Sequence, residues 1–378
     1  MTLAFFTNFI NHHQIELADA LYKILGKNYV FVAFHPLPET FKKTGYPDFD
    51  RPYLLKAYES VESFNNAKSL MYNADVAIIG SAPAKLAVKR ISHNKVTFHY
   101  NERWFKNGFK VFLKPHILLN KLLYHTRFRN KKLFMLCASA YTKNDTSKLF
   151  AYPKKCFRWG YFTQVPKEVP RSRPVSNSII NLMWCARFIN WKHPEMMVSL
   201  TEYLLNNHVK IHVDMYGNGP LFDTVKTYIE INPSLKDTIT LHGNVTNDRI
   251  LYEMQKHDIF LFTSDKNEGW GAVVNEAMSS GCAVIASDGA GSTNFLIKSG
   301  VNGISFKSKD QDDLNHKTLQ LIKNPSLIQA ISIEAYQTMQ NIWNGEVAAN
   351  RLINLIQAIQ KDSSYNLYEY GPASLINK

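Results

Sequence analysis

Two carboxylates stand eight positions apart in a stretch whose other residues suit phosphate binding, Glu268 and Glu276. Between them lie Gly269 and Gly271, and a glycine has no Cβ, so a ligand can approach the backbone closely there. An apolar run that predicts a β-strand precedes the stretch, and a helix-forming segment follows it. The first amides of that helix, around Gly271 to Val274, are expected to lack intrahelical partners and to attract a phosphate. Carboxylates that accept hydroxyl hydrogen bonds beside a diphosphate describe a nucleotide-sugar site.

Two basic residues of the same half of the chain supply the positive charge that such a site needs. Arg187 ends a predicted strand, and Lys192 stands five residues further on, just before His193 and Pro194 open a helix. An arginine makes bidentate contacts with phosphate, and a lysine adds a compact point charge. Together they could stabilise a departing diphosphate without a divalent metal. The alternative is a pair of surface charges at a strand end, and the presence of both glutamates favours the functional interpretation.

The elements that must position these residues follow from the apolar pattern. Strand-like runs alternate with helix-like segments, which predicts βαβ units and two mostly parallel, doubly wound sheets. Three prolines at four-residue spacing interrupt the pattern within 166–177, where we expect a semi-rigid linker. The sequence therefore predicts an N-terminal domain over 1–165, a C-terminal domain over 178–341, and a helix and tail over 342–378 that cross back to the first domain. Ligands of open α/β sheets bind at the carboxyl ends of the strands, so we expect a cleft between the two domains.

Bulk composition excludes several classes of protein. The chain has 378 residues, a net charge of +13, and four cysteines without a Cys-x-x-Cys pair, so neither a disulfide framework nor a zinc site is predicted. No apolar run is long enough for a membrane-spanning helix and no signal peptide is evident, so a cytoplasmic location is expected. Neither a Gly-x-Gly-x-x-Gly fingerprint nor a Walker A motif is present, which disfavours nicotinamide, flavin and P-loop enzymes.

One segment, from Arg103 to Lys132, carries nine Lys or Arg residues and no acidic residue. Aromatic and aliphatic residues interleave with the basic ones, as in helices that lie on an anionic bilayer. An amphipathic helix with solvated charges is the alternative. Nucleic-acid binding is not predicted, because no helix-turn-helix, RNP or zinc-finger pattern accompanies the charge.

Four parts of the second half, between Ile179 and Phe306, resemble retaining glycosyltransferases of family 4, which have the GT-B fold of two Rossmann-like domains facing each other across a cleft. They are Arg187 with Lys192, the turn Tyr216-Gly217-Asn218-Gly219-Pro220, the Glu268 to Glu276 element, and Gly300-Val301-Asn302-Gly303. In the first half, 101–106 and 136–141 are similar to enzymes that build bacterial surface polysaccharides. The loop Asn8 to Gln14 departs from the family pattern, since many members carry a glycine pair there.

The resemblance implies a role for each matching donor-side residue. Arg187 and Lys192 would bind the donor diphosphate, and Glu276 would accept hydrogen bonds from the ribose diol. Glu268 would lie near the hydroxyls of the transferred sugar and take part in catalysis. The remaining donor-binding positions are backbone sites near the phosphates, the sugar or the nucleobase: Gly217, Gly243, Gly271, Ala272 and Val273.

In the first domain, His99 matches a position that faces the reaction centre in many members, where it would orient the sugar or handle the acceptor proton. A hydrogen-bonded structural role is the alternative for this strand-end histidine. Glu102 is a second candidate.

These observations predict a metal-independent glycosyltransferase without a cofactor that uses a nucleotide-diphosphate sugar as donor, and the resemblance implies that it is retaining. The resemblance also implies a saccharide or lipid-linked acceptor in polysaccharide or lipopolysaccharide biosynthesis, at the inner face of the membrane. A GT-B epimerase or phosphorylase and a catalytically silent binding protein are the alternatives. A glycosidase is disfavoured because Glu268 and Glu276 would lie on the same wall of the site.

Overall fold

The structure, a computed structural model, describes residues 1–39, 49–106, 108, 114–167 and 179–377. The chain divides into two compact units. The first comprises Met1–Thr163 together with Ile342–Lys378, and the second comprises Gln164–Asn341. Most of the predicted linker, 168–177, lies outside the described residues, as do position 107 and positions 109–113 of the basic segment. Among the residues described, no helix is both long and apolar enough to cross a membrane.

The first unit is built on a seven-stranded parallel sheet of order β3-β2-β1-β4-β5-β6-β7. Its strands are β1 (Leu3–Thr7), β2 (Tyr29–Ala33), β3 (Leu54–Lys56), β4 (Val76–Ile79), β5 (Thr97–Asn101), β6 (Leu133–Cys137) and β7 (Cys156–Arg158). The helices that precede the second unit in the chain are α1 (His12–Leu25), α2 (Val61–Asn73), α3 (Val88–Ser92), α4 (Pro115–Tyr124) and α5 (Thr142–Ser147).

The second unit contains a six-stranded parallel sheet of order β10-β9-β8-β11-β12-β13. Its strands are β8 (Ile180–Cys185), β9 (Ile211–Tyr216), β10 (Ile239–Gly243), β11 (Ile259–Phe262), β12 (Ala283–Ser287) and β13 (Ile304–Phe306). Its helices are α6 (Pro194–Asn206), α7 (Phe222–Glu230), α8 (Pro233–Lys236), α9 (Asn247–Met254), α10 (Val273–Ser279), α11 (Thr293–Leu296), α12 (Gln311–Ile322) and α13 (Pro325–Asn341).

Central strands of both sheets are buried along their whole length, as β1 and β11 illustrate. Parallel sheets are covered by helices on both faces, which explains why these strands read as unbroken apolar runs. In each sheet the direction of winding changes once, between β1 and β4 in the first unit and between β8 and β11 in the second. The loops that follow these strands therefore diverge and leave a crevice at the sheet edge.

The last helix of the chain, α14 (Gly345–Gln360), belongs to the first unit and packs against α1. A capping box begins α1: Asn11 accepts a hydrogen bond from the amide of His13, and the side chain of Gln14 accepts one from the amide of Asn11. At the crossing, a Cβ on Gly345 would lie 2.5 Å from the backbone carbon of Glu16. Only a glycine allows the two helices to approach this closely.

Residues 373–376, near the C-terminus, cover the outer edge of the first sheet. The amide of Ala373 donates to the carbonyl of Arg158, the amide of Ile376 donates to that of Cys156, and Phe157 and Leu375 form an antiparallel bridge. Backbone groups of the edge strand β7 that would otherwise be unpaired are satisfied in this way.

Candidate functional site

The loop that follows β8 positions the two predicted phosphate-binding residues. The amide of Phe188 donates to the carbonyl of Asn218, which fixes the first part of the loop against the turn after β9. A single 3₁₀ turn follows, in which the amide of Lys192 donates to the carbonyl of Ile189. Arg187 precedes this turn and Lys192 ends it, so both lie at the carboxyl end of the sheet, as predicted.

Lys192 forms an ion pair with Glu268, between its Nζ and the Oε2 of the glutamate. The two side chains are only 13% and 16% exposed, so each charge offsets the desolvation of the other. Thr263, at the end of β11, donates to the carbonyl of Lys192 at 2.5 Å and accepts from the indole of Trp184 at 2.9 Å. The structure thus brings two of the predicted site residues together and ties the lysine loop to the strand that leads to Glu268.

Arg187 is exposed, and its guanidinium carbon lies 5.9 Å from the centre of the Trp191 ring. Within the described part of the chain, no carboxylate forms an ion pair with it. Arg187 is therefore a positive group at this strand end whose charge remains available to a ligand.

Glu276 is 6% exposed and lies inside α10. Glu276 is close enough to Cys185, the last residue of β8, for its charge to affect the thiol. Burial raises the pKa of the Cys185 thiol to about 12, the negative charge of Glu276 contributes to the rise, and Lys192 opposes it. Cys185, Glu276 and Lys192 are thus electrostatic neighbours. Cys185 was not predicted as a site residue, although its place at the carboxyl end of a central strand could have indicated it.

The glycine loop between the two glutamates is closely packed. Gly271 has a φ of +92°, and a Cβ there would lie 2.5 Å from the Phe262 ring. The amides of Gly271, Ala272 and Val273 make no hydrogen bond with any residue that the structure describes. The amide of Val274 donates to the carbonyl of Gly271 at 3.0 Å, so the expectation that it lacks a partner was wrong.

A buried aspartate that the sequence did not single out, Asp265, links the lysine loop to the Glu268 turn. Its amide donates to the carbonyl of Trp191, and its carbonyl accepts from the amide of Glu268, both at 2.9 Å. Its carboxylate pairs with Lys309 at 2.9 Å and accepts from the amide of Asn267 at 2.8 Å. Burial alone would raise the pKa of Asp265, but these hydrogen bonds hold it below its ordinary value.

Gly217 and Gly243 connect the ends of β9 and β10, since the amide of Gly217 donates to the carbonyl of Gly243 at 2.7 Å. Gly217 has a φ of +122°, and a Cβ there would lie 1.9 Å from the carbonyl oxygen of Ala186. Any larger residue would push the lysine loop away from β9. The role of Gly217 seen in the structure is therefore to bring the ends of three strands together.

A histidine cluster around Asp214 lies beside this turn and was also missed. His242 and His257 donate from Nε2 to the Asp214 carboxylate at 2.5 and 2.8 Å. His242 also stacks on Tyr216, with ring centres 4.3 Å apart and planes inclined by 7°. Burial works to raise the pKa of Asp214, but the hydrogen bonds from His257 and His242 outweigh it and lower the pKa to about 2.

His99 lies in the first unit and is 1% exposed. Its Nδ1 is 2.8 Å from the Nδ1 of His125 and 2.8 Å from the hydroxyl of Tyr152, and both of these partners are buried. Burial, with a smaller contribution from the charge of Lys121, lowers the pKa of His99 to about 3. At neutral pH the imidazole is therefore uncharged.

A cavity of about 560 Å³ opens at the carboxyl ends of β1, β4, β5 and β6 in the first unit. Glu102, the second candidate of the sequence, is among its lining residues, whereas His99 is not. The other lining residues come from the ends of those strands and the loops after them, from α1 and α4, and from the segment after β7: Thr7, Asn8, Phe9, Asn11, Gln14, Gly80, Ser81, Tyr100, Asn101, Arg103, Trp104, Lys106, Ile117, Lys121, Ala138 and Tyr161.

Residues 176–338 match the family described as Glycosyl transferases group 1, so the second unit carries a domain of this family. One relative is a poly(glycerol-phosphate) alpha-glucosyltransferase of Bacillus subtilis (strain 168), which is 28% identical over 149 residues, or 38% of this chain and 22% of the relative. Another is a poly(ribitol-phosphate) alpha-N-acetylglucosaminyltransferase of Staphylococcus aureus (strain COL), 25% identical over 175 residues, or 46% of this chain and 34% of the relative. The matched part of the chain thus spans at most about a third of the length of these two proteins.

Solved structures share the fold over most of the chain. The structure of Anabaena HepE in complex with UDP has a TM-score of 0.67 at 13% identity and covers 96% of this chain and 100% of its own. A mutant of S. aureus TarM in complex with Fondaparinux, alpha-GlcNAc-glycerol and UDP has a TM-score of 0.55 at 17% identity, with 74% and 55% covered. The two parallel-sheet α/β units and these GT-B neighbours confirm the predicted fold class.

Proposed function

We propose that this chain is a glycosyltransferase that moves a sugar from a uridine-diphosphate sugar to an acceptor hydroxyl. The observation that carries the proposal is the Lys192–Glu268 ion pair beside the unpaired Arg187, at the switch point of a group 1 glycosyl transferase domain. The choice of uridine is supported by the UDP bound in both structural neighbours. The acceptor is proposed to be a saccharide or lipid-linked chain of a cell-surface polymer, as the names of the relatives suggest.

Transfer breaks the bond between the anomeric carbon and a phosphate oxygen, so negative charge develops on the departing diphosphate. We assign Arg187 and Lys192, with the amides of Gly271 to Val273, to the stabilisation of that charge. Glu268 orients Lys192 through their ion pair. We also assign Glu268 to accept hydrogen bonds from the hydroxyls of the sugar, because it immediately precedes the glycine loop. Glu276 is proposed to bind the ribose diol, because an ionised carboxylate offers two acceptor oxygens.

We propose that the reaction needs no metal and retains the configuration of the anomeric carbon. The first proposal rests on the side chains and amides that already supply positive charge at this strand end. The second rests on the family resemblance, and the alpha linkage in the names of both relatives agrees with it. Turnover should persist in excess EDTA, and the product should keep the anomeric configuration of the donor by NMR.

His99 is proposed to have the structural role rather than to transfer the acceptor proton. An imidazole with a pKa of about 3 is a weak base at neutral pH, and its Nδ1 lies within hydrogen-bonding distance of His125 and Tyr152. Replacement of His99 by glutamine should therefore lower the free energy of unfolding but leave the turnover of the folded protein nearly unchanged.

The site assignment is tested by Glu268→Gln and Lys192→Ala in a transfer or donor-hydrolysis assay. Each should reduce turnover by about 100-fold or more, the typical effect of removing one group that stabilises developing charge. Lys226 and Glu230, an exposed ion pair at 3.8 Å in the same unit, provide matched controls, and Lys226→Ala and Glu230→Gln should leave turnover unchanged. Unaltered turnover in both site variants would show that the site is wrongly assigned.

Contact with an anionic membrane surface is the proposed partner interaction of the basic segment. Within that segment α4 exposes three leucines, Leu119, Leu122 and Leu123, and Lys114 lies at its start. Exposed apolar side chains beside basic residues suit the headgroup region of such a bilayer. Changing the three leucines to glutamine should abolish co-sedimentation with phosphatidylglycerol vesicles, whereas Ile231→Gln, at an exposed residue of the second unit, should not. Equal binding of the two variants would remove the proposal.

A further inference from the structure

The cavity of the first unit is lined by more positive than negative side chains. Arg103, Lys106 and Lys121 face a single lining carboxylate, Glu102. Lys106 donates to Glu102 at 2.5 Å, and the hydroxyl of Tyr161 donates to the same carboxylate at 2.7 Å. Glu102 therefore already has two partners, one of them a cation.

Arg103 also has a carboxylate partner. Its Nε lies 3.4 Å from a carboxylate oxygen of Asp145, a residue with no solvent exposure. Lys121 differs, since no acidic residue of the described ranges pairs with it. One positive charge of the cavity wall thus has no counter-ion among the residues that the structure describes.

Lys121 is held where its charge is partly desolvated. Its Nζ lies 4.4 Å from the centre of the Trp104 ring, and burial lowers the pKa of the ammonium to about 8. The indole N–H of Trp104 is buried and finds no hydrogen-bond partner in the part of the chain that the structure describes. Because this N–H is buried, it cannot contact a ligand in the cavity directly, but its NMR signal reports on the ring that Lys121 contacts. A partly desolvated charge without a carboxylate partner is costly to fold, and in a cavity it indicates a ligand that supplies the missing partner.

We propose that this cavity binds a phosphate group of the acceptor, with Lys121 as its counter-ion. Lysine is a common phosphate ligand, and a cavity of this size is typical of small-molecule sites. Side-chain amides of Asn8, Asn11 and Asn101 in the wall offer both donors and acceptors for the hydroxyls of a polyol. This inference rests on the proposed transferase function and narrows its acceptor to a polymer or lipid that carries phosphate.

A purely structural role for Lys121, as a cation over the Trp104 ring, is the competing explanation. It accounts for the ring contact but not for the position of this partly desolvated ammonium in the wall of a cavity. The two explanations differ in what an added phosphate does, because only a phosphate site would bind it and shift the Trp104 signal.

The test uses the full chain and needs no donor sugar. The indole ¹⁵N–¹H signal of Trp104, assigned with Trp104→Phe, is followed while sn-glycerol 3-phosphate or uncharged glycerol is added. The wild type should show a saturable shift with sn-glycerol 3-phosphate alone. Lys121→Met should weaken this binding at least tenfold and Lys121→Arg should restore most of it. Lys27→Met, at an exposed lysine of the same unit outside the basic segment, should have no effect.

Two further arms separate the sources of phosphate. UDP affinity, measured by calorimetry, should be equal in the wild type and Lys121→Met, and this equality would also show that the variant is folded. Loss of UDP affinity with no binding of sn-glycerol 3-phosphate would assign Lys121 to the donor and overturn the proposal. Binding to phosphatidylglycerol vesicles without binding to sn-glycerol 3-phosphate would assign it to a membrane surface, with the same consequence.

Failure of the proposed transferase function is distinguishable from these outcomes. A wild type that binds sn-glycerol 3-phosphate through Lys121 but never transfers sugar would contradict the function and leave the phosphate site standing. Equal binding of sn-glycerol 3-phosphate by the wild type and Lys121→Met would overturn the site, whatever the turnover.

Discussion

Two buried or half-buried cations of the first unit differ from the charged groups of the second unit in their partners, although the first unit also contains the buried Arg103–Asp145 ion pair. In the second unit the buried or half-buried charges meet opposite charges or proton donors, as Lys192 does with Glu268 and Asp214 does with His257. In the first unit two cations rest on neutral partners. Arg90, with no solvent exposure, donates to the carbonyls of residues 71, 74 and 96 and to the Thr97 hydroxyl, and Lys121 lies over an indole ring.

The proposed donor site of the second unit has its charges paired within the protein before a ligand binds. The proposed phosphate site of the first unit would gain its negative charge only from a ligand. The Lys192–Glu268 pair orients both side chains without a ligand, as the proposed donor site requires. Arg90 does not line the cavity of the first unit and joins the end of α2 to β5. Lys121 has both the cavity and the uncompensated charge, which is why it carries an inference that Arg90 does not.

The largest expected effect on this comparison comes from Arg90→Leu. The change leaves several buried carbonyl oxygens without donors, and breaking such a buried network costs about 3–5 kcal/mol. The free energy of unfolding of the first unit should fall by this amount in hydrogen-exchange experiments, while peptides of the second unit remain protected. Arg129→Leu, at an exposed arginine of the same unit, is the control and should change stability by less than about 0.5 kcal/mol.

The second effect is a difference in acid sensitivity. Burial lowers the pKa of His99 to about 3 and that of His125 well below its ordinary value of 6.5, so the unfolded chain binds protons that these folded imidazoles reject. Stability of the first unit should therefore decline as the pH falls below about 6.5, by up to about 1.4 kcal/mol per pH unit for each histidine. In the second unit, Asp214 has a pKa of about 2, so its protonation lowers the stability of that unit only below about pH 4.

Hydrogen exchange at pH 7 and pH 5, corrected for intrinsic rates, measures this difference. Peptides from β5 and β6 should lose protection before peptides from β8 and β11. His99→Gln removes one of the two groups and should reduce the pH dependence of the first unit. Earlier loss of protection in the second unit would contradict the comparison.

The smallest effect is expected from Asp214→Asn. The amide keeps the shape of the carboxylate but weakens two charge-assisted hydrogen bonds, to His242 and His257, at a cost of about 1–2 kcal/mol. Because His242 stacks on Tyr216 beside the Gly217 turn, UDP binding should weaken by a few fold. Calorimetry measures both quantities, and Asp223→Asn, in the first turn of α7, is the control.

Much of the fold could be predicted from the sequence, because buried parallel strands consist of unbroken apolar runs, as at Ile259–Phe262. The helix Val61–Asn73 was missed, since only Ala67 and Met71 in it are buried and its apolar stripe is weak. Strand Leu54–Lys56 was missed for a similar reason, as a short, half-buried edge strand. Such elements are defined by their neighbours rather than by their own pattern.

The positions of Arg187, Lys192 and the two glutamates near strand ends could be predicted because the apolar runs mark those ends. Their roles in donor binding stay a prediction. Asp265 and Asp214 were not found, because their roles depend on partners that lie far away in the chain, such as Lys309 for Asp265. The basic segment shows the same limit. It contains no acid of its own, yet Arg103 pairs with Asp145, so its effective charge is lower than the sequence suggests.

The tail that covers β7 also bears on self-association. Residues 373–376 supply a backbone partner to the edge strand, and the Arg158 side chain donates to Ser374 as well. If this segment detached, β7 would present unpaired amides and carbonyls that a second molecule could fill with its own tail. At high protein concentration or mild denaturation, exchange of this short segment is therefore the expected route to dimers and larger assemblies.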